Sequence, residues 1–103
     1  MRAVITGATS GIGKAMACQL AQDGWSLVLT GRNQTVLEQL QKNLPTAVEI
    51  LPLDLAEEEA PYQLFDFCKK KRVDLLVNNA GFGIFGRFTE TNLQEEMDLL
   101  AVN

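Results

Sequence analysis

No histidine occurs anywhere in the 103 residues. That absence removes His-based nucleophile triads, His general bases and His metal ligands together. Cysteine is almost as scarce. Cys18 and Cys68 are the two present, without metal-ligand spacing, each in a segment that reads as an apolar helix face. Isolated thiols in such places point to reduced core residues of a cytoplasmic protein, not to a disulfide framework. Lys and Arg number 9 against 13 Asp and Glu, and the net charge of −4 offers no basic surface to nucleic acid. The one basic run, Lys69-Lys70-Lys71-Arg72, falls where a helix is expected to end and would complement its dipole. No stretch approaches the roughly 18 apolar residues of a membrane span. No apolar leader is visible before a first strand that starts at Arg2, so no membrane partner is expected.

What is present has the balance of an ordinary globular chain, 47% hydrophobic and 21% charged, and its length allows one small domain spanning residues 1–103. Arg2-Ala3-Val4-Ile5 reads as a buried strand. The stretch Thr6-Gly7-Ala8-Thr9-Ser10-Gly11-Ile12-Gly13 follows, and then a helix over Lys14 to Gly24, with Ile12, Ala15, Met16 and Leu20 at helical spacing. Trp25 to Thr30 reads as a second strand. Asn33 caps a helix that carries Val36, Leu37, Leu40 and Leu44 on one face and ends at Pro45. Ala47 to Leu53 is a third strand, and Pro52 suits an edge position. A helix from near Ala60 to about Lys71 buries Leu64, Phe65 and Cys68, and Val73 to Asn78 is a fourth strand. A loop over Phe82 to Thr89 leads to a last helix from Thr91 or Asn92 with Leu93, Met97 and Leu100 on one side. Strands alternating with helices in this way form βαβ units on a parallel sheet. Right-handed crossovers give spatial order 3-2-1-4, an α/β fold that is half of a doubly wound, Rossmann-type sheet with helices on both faces. The far edge of the fourth strand is expected to be open, a pairing liability.

The chemistry gathers at the carboxyl ends of strands 1 and 4. A strand, a glycine-rich turn and a helix in that order make a place for a phosphate, because the glycines allow close approach and the helix N-terminus offers amides and a positive dipole end. The spacing G-x-x-x-G-x-G departs from the general dinucleotide pattern G-x-G-x-x-G. The carboxylate that usually binds a ribose 2′-hydroxyl at the end of strand 2 is missing; Gly31-Arg32 stands there instead. A guanidinium in that place pairs with a 2′-phosphate, so NADP is favoured over NAD, although Arg32 could also merely cover surface. Asp54, after strand 3, either accepts from an adenine amine or caps its own turn.

Thr6-Gly7-x-x-x-Gly11-Ile12-Gly13, Asp54-Leu55, Asn78-Asn79-Ala80-Gly81 and Val102-Asn103, in this order, closely resemble the N-terminal half of the short-chain dehydrogenase/reductase family. The resemblance covers the whole chain, and Leu29-Thr30-Gly31-Arg32-Asn33 is similar to its ketone- and alcohol-acting members. It implies that Gly7, Gly11, Ile12 and Gly13 line a pyrophosphate and that Thr9, Ser10 and Arg32 lie near the adenosine ribose. It places Asp54 and Leu55 at adenine, and Asn79, Ala80 and Gly81 along the nicotinamide side, with Asn78 stabilising the central strand. NADP-using relatives often carry Arg or Lys where this chain has Ser10, so Arg32 would carry most of the preference. Of the family's Asn, Ser, Tyr and Lys catalytic set, the resemblance supplies only Asn103. Tyr62 is the sole tyrosine, and Asp66 stands four residues on, so no Tyr-x-x-x-Lys occurs. The expectation is the cofactor-binding portion of an NADP(H)-dependent reductase, inactive by itself, whose family commonly forms homo-oligomers. The alternative is a non-catalytic nucleotide-binding or interaction module pairing through its open strand edge and last helix.

Overall fold

The computed structural model describes residues 1–79 and 84–85. Eight elements run in the order β1 (Arg2–Thr6), α1 (Gly11–Gln22), β2 (Ser26–Gly31), α2 (Gln34–Asn43), β3 (Val48–Pro52), α3 (Ala60–Cys68), β4 (Leu75–Asn78) and β5 (Ile84–Phe85). The sheet order is β3-β2-β1-β4-β5. The first four strands are parallel, with Ala3 beside Leu27 and Leu75, and Leu27 beside Val48. This is the 3-2-1-4 half-sheet expected from the alternation of elements. The last helix of the sequence reading, over Thr91 to Asn103, lies outside the described residues.

The sheet is buried on both faces, and side-chain alternation sorts its core in two. Ala3, Ile5, Leu27, Leu29, Val48 and Val77 pack with Ala17 and Ala21 of α1 and with Leu37 and Leu40 of α2. Val4, Val28 and Leu76 point the other way and pack with Leu64 and Cys68 of α3. Helices on opposite faces make the arrangement doubly wound. Pro52 closes β3 at the edge of the sheet, opposite Gly31, where a missing N–H leaves no ladder bond unmade on the outer side.

Four expectations need correction. The far edge of β4 is not bare: β5 pairs antiparallel with it, Leu76 opposite Phe85 and Val77 opposite Ile84. A strand thus lies inside the stretch read as a loop, and the open edge invoked for partner pairing is partly filled. Helix α1 begins at Gly11, because Ser10 caps it and draws the glycines into its first turn. Its buried stripe is Gly13, Ala17 and Ala21, whereas Ile12 is 68% exposed and Ala15 is exposed as well. Small residues face the sheet because they let the helix approach it closely. Helix α3 ends at Cys68, so the basic run follows the helix and is bound locally. Lys69 meets Asp66 at 3.5 Å, Lys71 meets Glu49 at 3.0 Å and Arg72 meets Asp74 at 3.0 Å.

The amino ends of β1 and β4 are clamped by Asp74, whose side chain is 3% exposed. Its Oδ2 accepts from the Arg2 amide at 2.9 Å, and its Oδ1 accepts from Arg72 Nε at 3.0 Å. A buried carboxylate is tolerated only when its oxygens are satisfied in this way.

Cys68 is fully enclosed by the α3-side core, and that burial pushes its thiol up from 9.0 to about 11, with the Lys71 ammonium opposing the shift. Below pH 9 both folded and unfolded chains hold the proton; between pH 9 and about 11 only the unfolded chain loses it. Stability is therefore expected to fall across that window by about 3 kcal/mol from this group alone. Denaturant titrations from pH 8 to 11 check this, with Cys68→Ala less stable at pH 8 but flatter as pH rises. A thiol reagent at pH 8 should modify half-buried Cys18 and spare Cys68 until the chain unfolds.

Candidate functional site

The turns that follow β1 and β2, and Asn79 just past β4, come together at the carboxyl end of the sheet. The turn from β1 into α1 is held by its own backbone. Gly7 adopts φ +62°, a left-handed conformation that disfavours any side chain. The Ala8 amide donates to the Thr30 carbonyl at 3.0 Å, and the Ser10 amide donates to the Gly7 carbonyl at 3.1 Å. The Ser10 hydroxyl donates to that same carbonyl at 2.8 Å and accepts from the Gly13 amide at 3.3 Å. This caps α1, while helix geometry leaves the Gly11 and Ile12 amides without an intrahelical acceptor.

Asn79, one residue past β4, locks the turn from the other side. Its Nδ2 donates to Ser10 Oγ at 2.6 Å and to the Gly7 carbonyl at 3.1 Å. A Cβ added at Gly7 would lie 3.1 Å from that Nδ2. One strand away, Thr6 Oγ1 donates to Asn78 Oδ1 at 3.1 Å, tying β1 to β4 just beneath the turn.

The glycines have distinct duties. At Gly13 a Cβ would run into the Gly7 carbonyl, approaching its carbon to 2.9 Å, so the first turn of α1 packs on the glycine turn only without a side chain. At Gly11 a Cβ would meet nothing within 4 Å. It would project into open space beside the uncapped amides, so nothing within the described chain blocks an anion from approaching them.

Two cavities adjoin this turn. One of about 400 Å³ is lined by Gly7, Thr9, Ser10, Thr30, Gly31, Arg32, Leu53, Asp54, Leu55, Ala56 and Asn79. A shallower one of about 560 Å³ is lined by Thr9, Arg32, Asn33, Gln34 and Thr35, at the N-terminus of α2. Asn33 Oδ1 accepts from the Val36 amide at 3.2 Å and caps that helix. Arg32 is exposed and shared by both cavities, and among the described residues Asp54 is the one carboxylate lining either. Asp54 Oδ1 accepts from the Ala56 amide at 2.9 Å, so the turn-capping reading of this residue holds while it still lines the larger cavity.

Of the residues expected at the site, Gly7, Thr9, Ser10, Arg32, Asp54, Leu55 and Asn79 line the larger cavity, and Gly11, Ile12 and Gly13 form the first turn of the adjoining helix. Ala80, Gly81 and Asn103 lie outside the described residues. Ser10 has its hydroxyl fully engaged within the turn, and Asn79 uses its amide to hold that turn. Thr30 was not singled out by sequence reasoning. Its hydroxyl is the buried side-chain group without a partner among the described residues, and the available signal was a polar residue ending an apolar strand. The set is compatible with a dinucleotide: the uncapped amides at the start of α1, a cationic side chain and a second helix N-terminus on one flank, and a buried hydroxyl without a partner among the described residues. Among the described residues no group of three His, Cys, Asp or Glu could hold a metal ion, and no helix is long and apolar enough to cross a membrane.

Comparison with known proteins agrees. The family model described as short chain dehydrogenase matches residues 1–103. An uncharacterized oxidoreductase of Staphylococcus epidermidis is 33% identical over 106 residues, covering 98% of this chain and 45% of the relative. The chain thus spans under half the length of such relatives. Among solved structures, an alcohol dehydrogenase from the archaeon Thermococcus sibiricus complexed with 5-hydroxy-NADP is 34% identical with a TM-score of 0.68, covering 98% of this chain and 48% of that one. A short-chain dehydrogenase from Sphingobium yanoikuyae in complex with NADPH is 27% identical with a TM-score of 0.72, covering 97% and 46%.

The two glycines yield a paired prediction. Gly13→Ala must move the Gly7 carbonyl, and is expected to destabilise the chain by about 2 kcal/mol or more, on the scale of core overpacking. Gly11→Ala meets no atom and gains helix propensity, so it is expected to be neutral or to stabilise by up to about 1 kcal/mol. Thermal and denaturant unfolding of the two variants checks the order.

Proposed function

The chain belongs to the short-chain dehydrogenase family, and from that premise we propose that residues 1–103 form the NADP(H)-binding part of an oxidoreductase acting on a carbonyl or alcohol. The observation that carries the cofactor reading is the cavity at the N-terminus of α2, where exposed Arg32 stands without any carboxylate among the lining residues. A 2′-phosphate placed there gains a charge-assisted, geometrically matched partner and the amides of a helix start; the 2′-hydroxyl of NAD gains neither. The cofactors in the solved relatives, NADPH and 5-hydroxy-NADP, support the same choice.

In this reading the Gly11 and Ile12 amides receive the pyrophosphate, and Gly7 and Gly13 hold the turn at the necessary closeness. Exposed Ile12 covers the phosphates with apolar surface. Leu53, Leu55 and Asp54 flank adenine. Thr9 lies between the phosphates and the ribose. Asn79 keeps the turn in its binding shape. Asn103 is the one member of the catalytic set in the chain. Bound NADP(H) supplies or takes up the hydride. The residues that would move a proton to or from substrate are absent from this sequence, so the chain binds cofactor without turning it over. Cytoplasmic location and self-association belong to the same reading.

Calorimetric titration tests it. NADPH is expected to bind at least about tenfold more tightly than NADH, and Arg32→Ala to lose about 10- to 100-fold toward NADPH with little change toward NADH. Equal affinity of the parent chain for both would remove the role given to Arg32. In a separate assay, the purified chain with a panel of ketones and aldehydes should show no NADPH oxidation above the uncatalysed rate.

A further inference from the structure

The Thr30 hydroxyl has no counterpart elsewhere in the described core. Thr30 is fully buried at the carboxyl end of β2, and its Oγ1 has no hydrogen-bond partner. An unpaired buried hydroxyl disfavours folding, and valine has the same branched shape without that penalty. The rest of β2 makes that choice with apolar Leu27, Val28 and Leu29. The other buried threonine, Thr6, is paired across the sheet with Asn78. Thr30 is also among the residues lining the 400 Å³ cavity, between Gly31-Arg32 on its own strand end and Leu53-Asp54-Leu55 on the next. By strand alternation it faces the same side as Val28, the side on which Leu53 and Leu55 lie. No pairing among the described residues accounts for the hydroxyl, and the residue that carries it is part of the lining of the larger cavity.

We propose that Thr30 is a specificity-determining residue of this site, its hydroxyl pairing with the adenosine half of the bound dinucleotide, directly or through one enclosed water. The inference rests on the cofactor reading above. It assigns the adenosine half because Thr30 lies on the β2–β3 side of the glycine turn, away from β4 and Asn79. A hydroxyl buried at that point discriminates for ligands with a matching polar atom, since any ligand without one leaves it unpaired. It also makes the empty site less stable than a valine would, so ligand binding relieves a defect of the free chain.

Three chains, the parent, Thr30→Val and Thr30→Ser, are compared by thermal unfolding when empty and by calorimetry with NADPH, adenosine 2′,5′-bisphosphate and nicotinamide mononucleotide. Thr30→Val should melt higher than the parent when empty. It should bind NADPH and the bisphosphate about 3- to 10-fold more weakly by a common factor, the range of one neutral hydrogen bond. Its affinity for the mononucleotide should not change, and Thr30→Ser should bind all three as the parent does. Parent-like binding of NADPH by Thr30→Val overturns the inference and leaves the cofactor reading intact. A Thr30→Val chain that melts lower when empty also overturns it, because the hydroxyl would then be paired within the fold. A parent chain that binds neither NADPH nor the bisphosphate overturns the cofactor reading, and this inference with it.

Discussion

The structure depends first on the approach of α1 to the turn that precedes it. Gly13 lies so close to the Gly7 carbonyl that even one methyl group does not fit. That contact fixes where the helix axis starts and places its first amides at the end of the central strand. The small residues Ala17 and Ala21 continue the same close packing one and two turns later. A larger residue on this face would lift the helix from the sheet and rotate its N-terminus away from the cavity. Where the uncapped amides of α1 stand is therefore a consequence of how the helix packs, and stability and the geometry of the turn share one set of contacts.

Polar clamps at both ends of β1 keep that geometry in register. At the amino end, Asp74 binds the Arg2 amide and Arg72. At the carboxyl end, Thr6 meets Asn78, and Asn79 reaches across to Ser10 and Gly7. Each clamp joins residues about seventy positions apart in sequence, linking β1 to β4, the two strands whose carboxyl ends carry the facing turns. A net contribution of about 1 kcal/mol for each neutral bond is modest beside the buried strands. Their larger effect is on register, since a slip of one residue would exchange the two core faces. Ser10 completes the arrangement because one hydroxyl donates to the turn and accepts from both the helix and Asn79.

Much of this was legible in the sequence, for physical reasons. Continuous apolar strands separated by amphipathic helices admit few topologies once crossovers are right-handed, so the order 3-2-1-4 followed. The glycine turn was readable because a left-handed residue and a close helix approach need glycine, and Asn79 because it lies where the end of β4 meets that turn. Two strand residues at Ile84–Phe85 were not readable, since so short a segment among glycines has no periodicity. Ile12 misled because helical spacing marks a stripe without saying which stripe faces the core. Here the fully buried positions are Gly and Ala, Met16 and Leu20 of the expected stripe pack at the margin of the core, and Ile12 lies outward, next to the turn. Thr30 escaped notice because a threonine in a strand is unremarkable until its partners are sought in three dimensions.

On the proposed cofactor reading, the same comparison of magnitudes favours Arg32 over Ser10 as the residue that would discriminate. A hydroxyl already engaged in three hydrogen bonds would have to break at least one to meet a phosphate, exchanging one bond for another with little net gain. Arg32 is exposed, and among the described residues the cavity at the N-terminus of α2 has no carboxylate in its lining. An uncommitted guanidinium beside a helix N-terminus adds charge-assisted bonds without giving up existing ones. Discrimination by a free cation is screened by salt, whereas discrimination by a buried hydroxyl such as Thr30 is not. On the proposed reading the two residues would divide the recognition physically: Arg32 would select by charge at the rim, and Thr30 by a hydrogen bond inside.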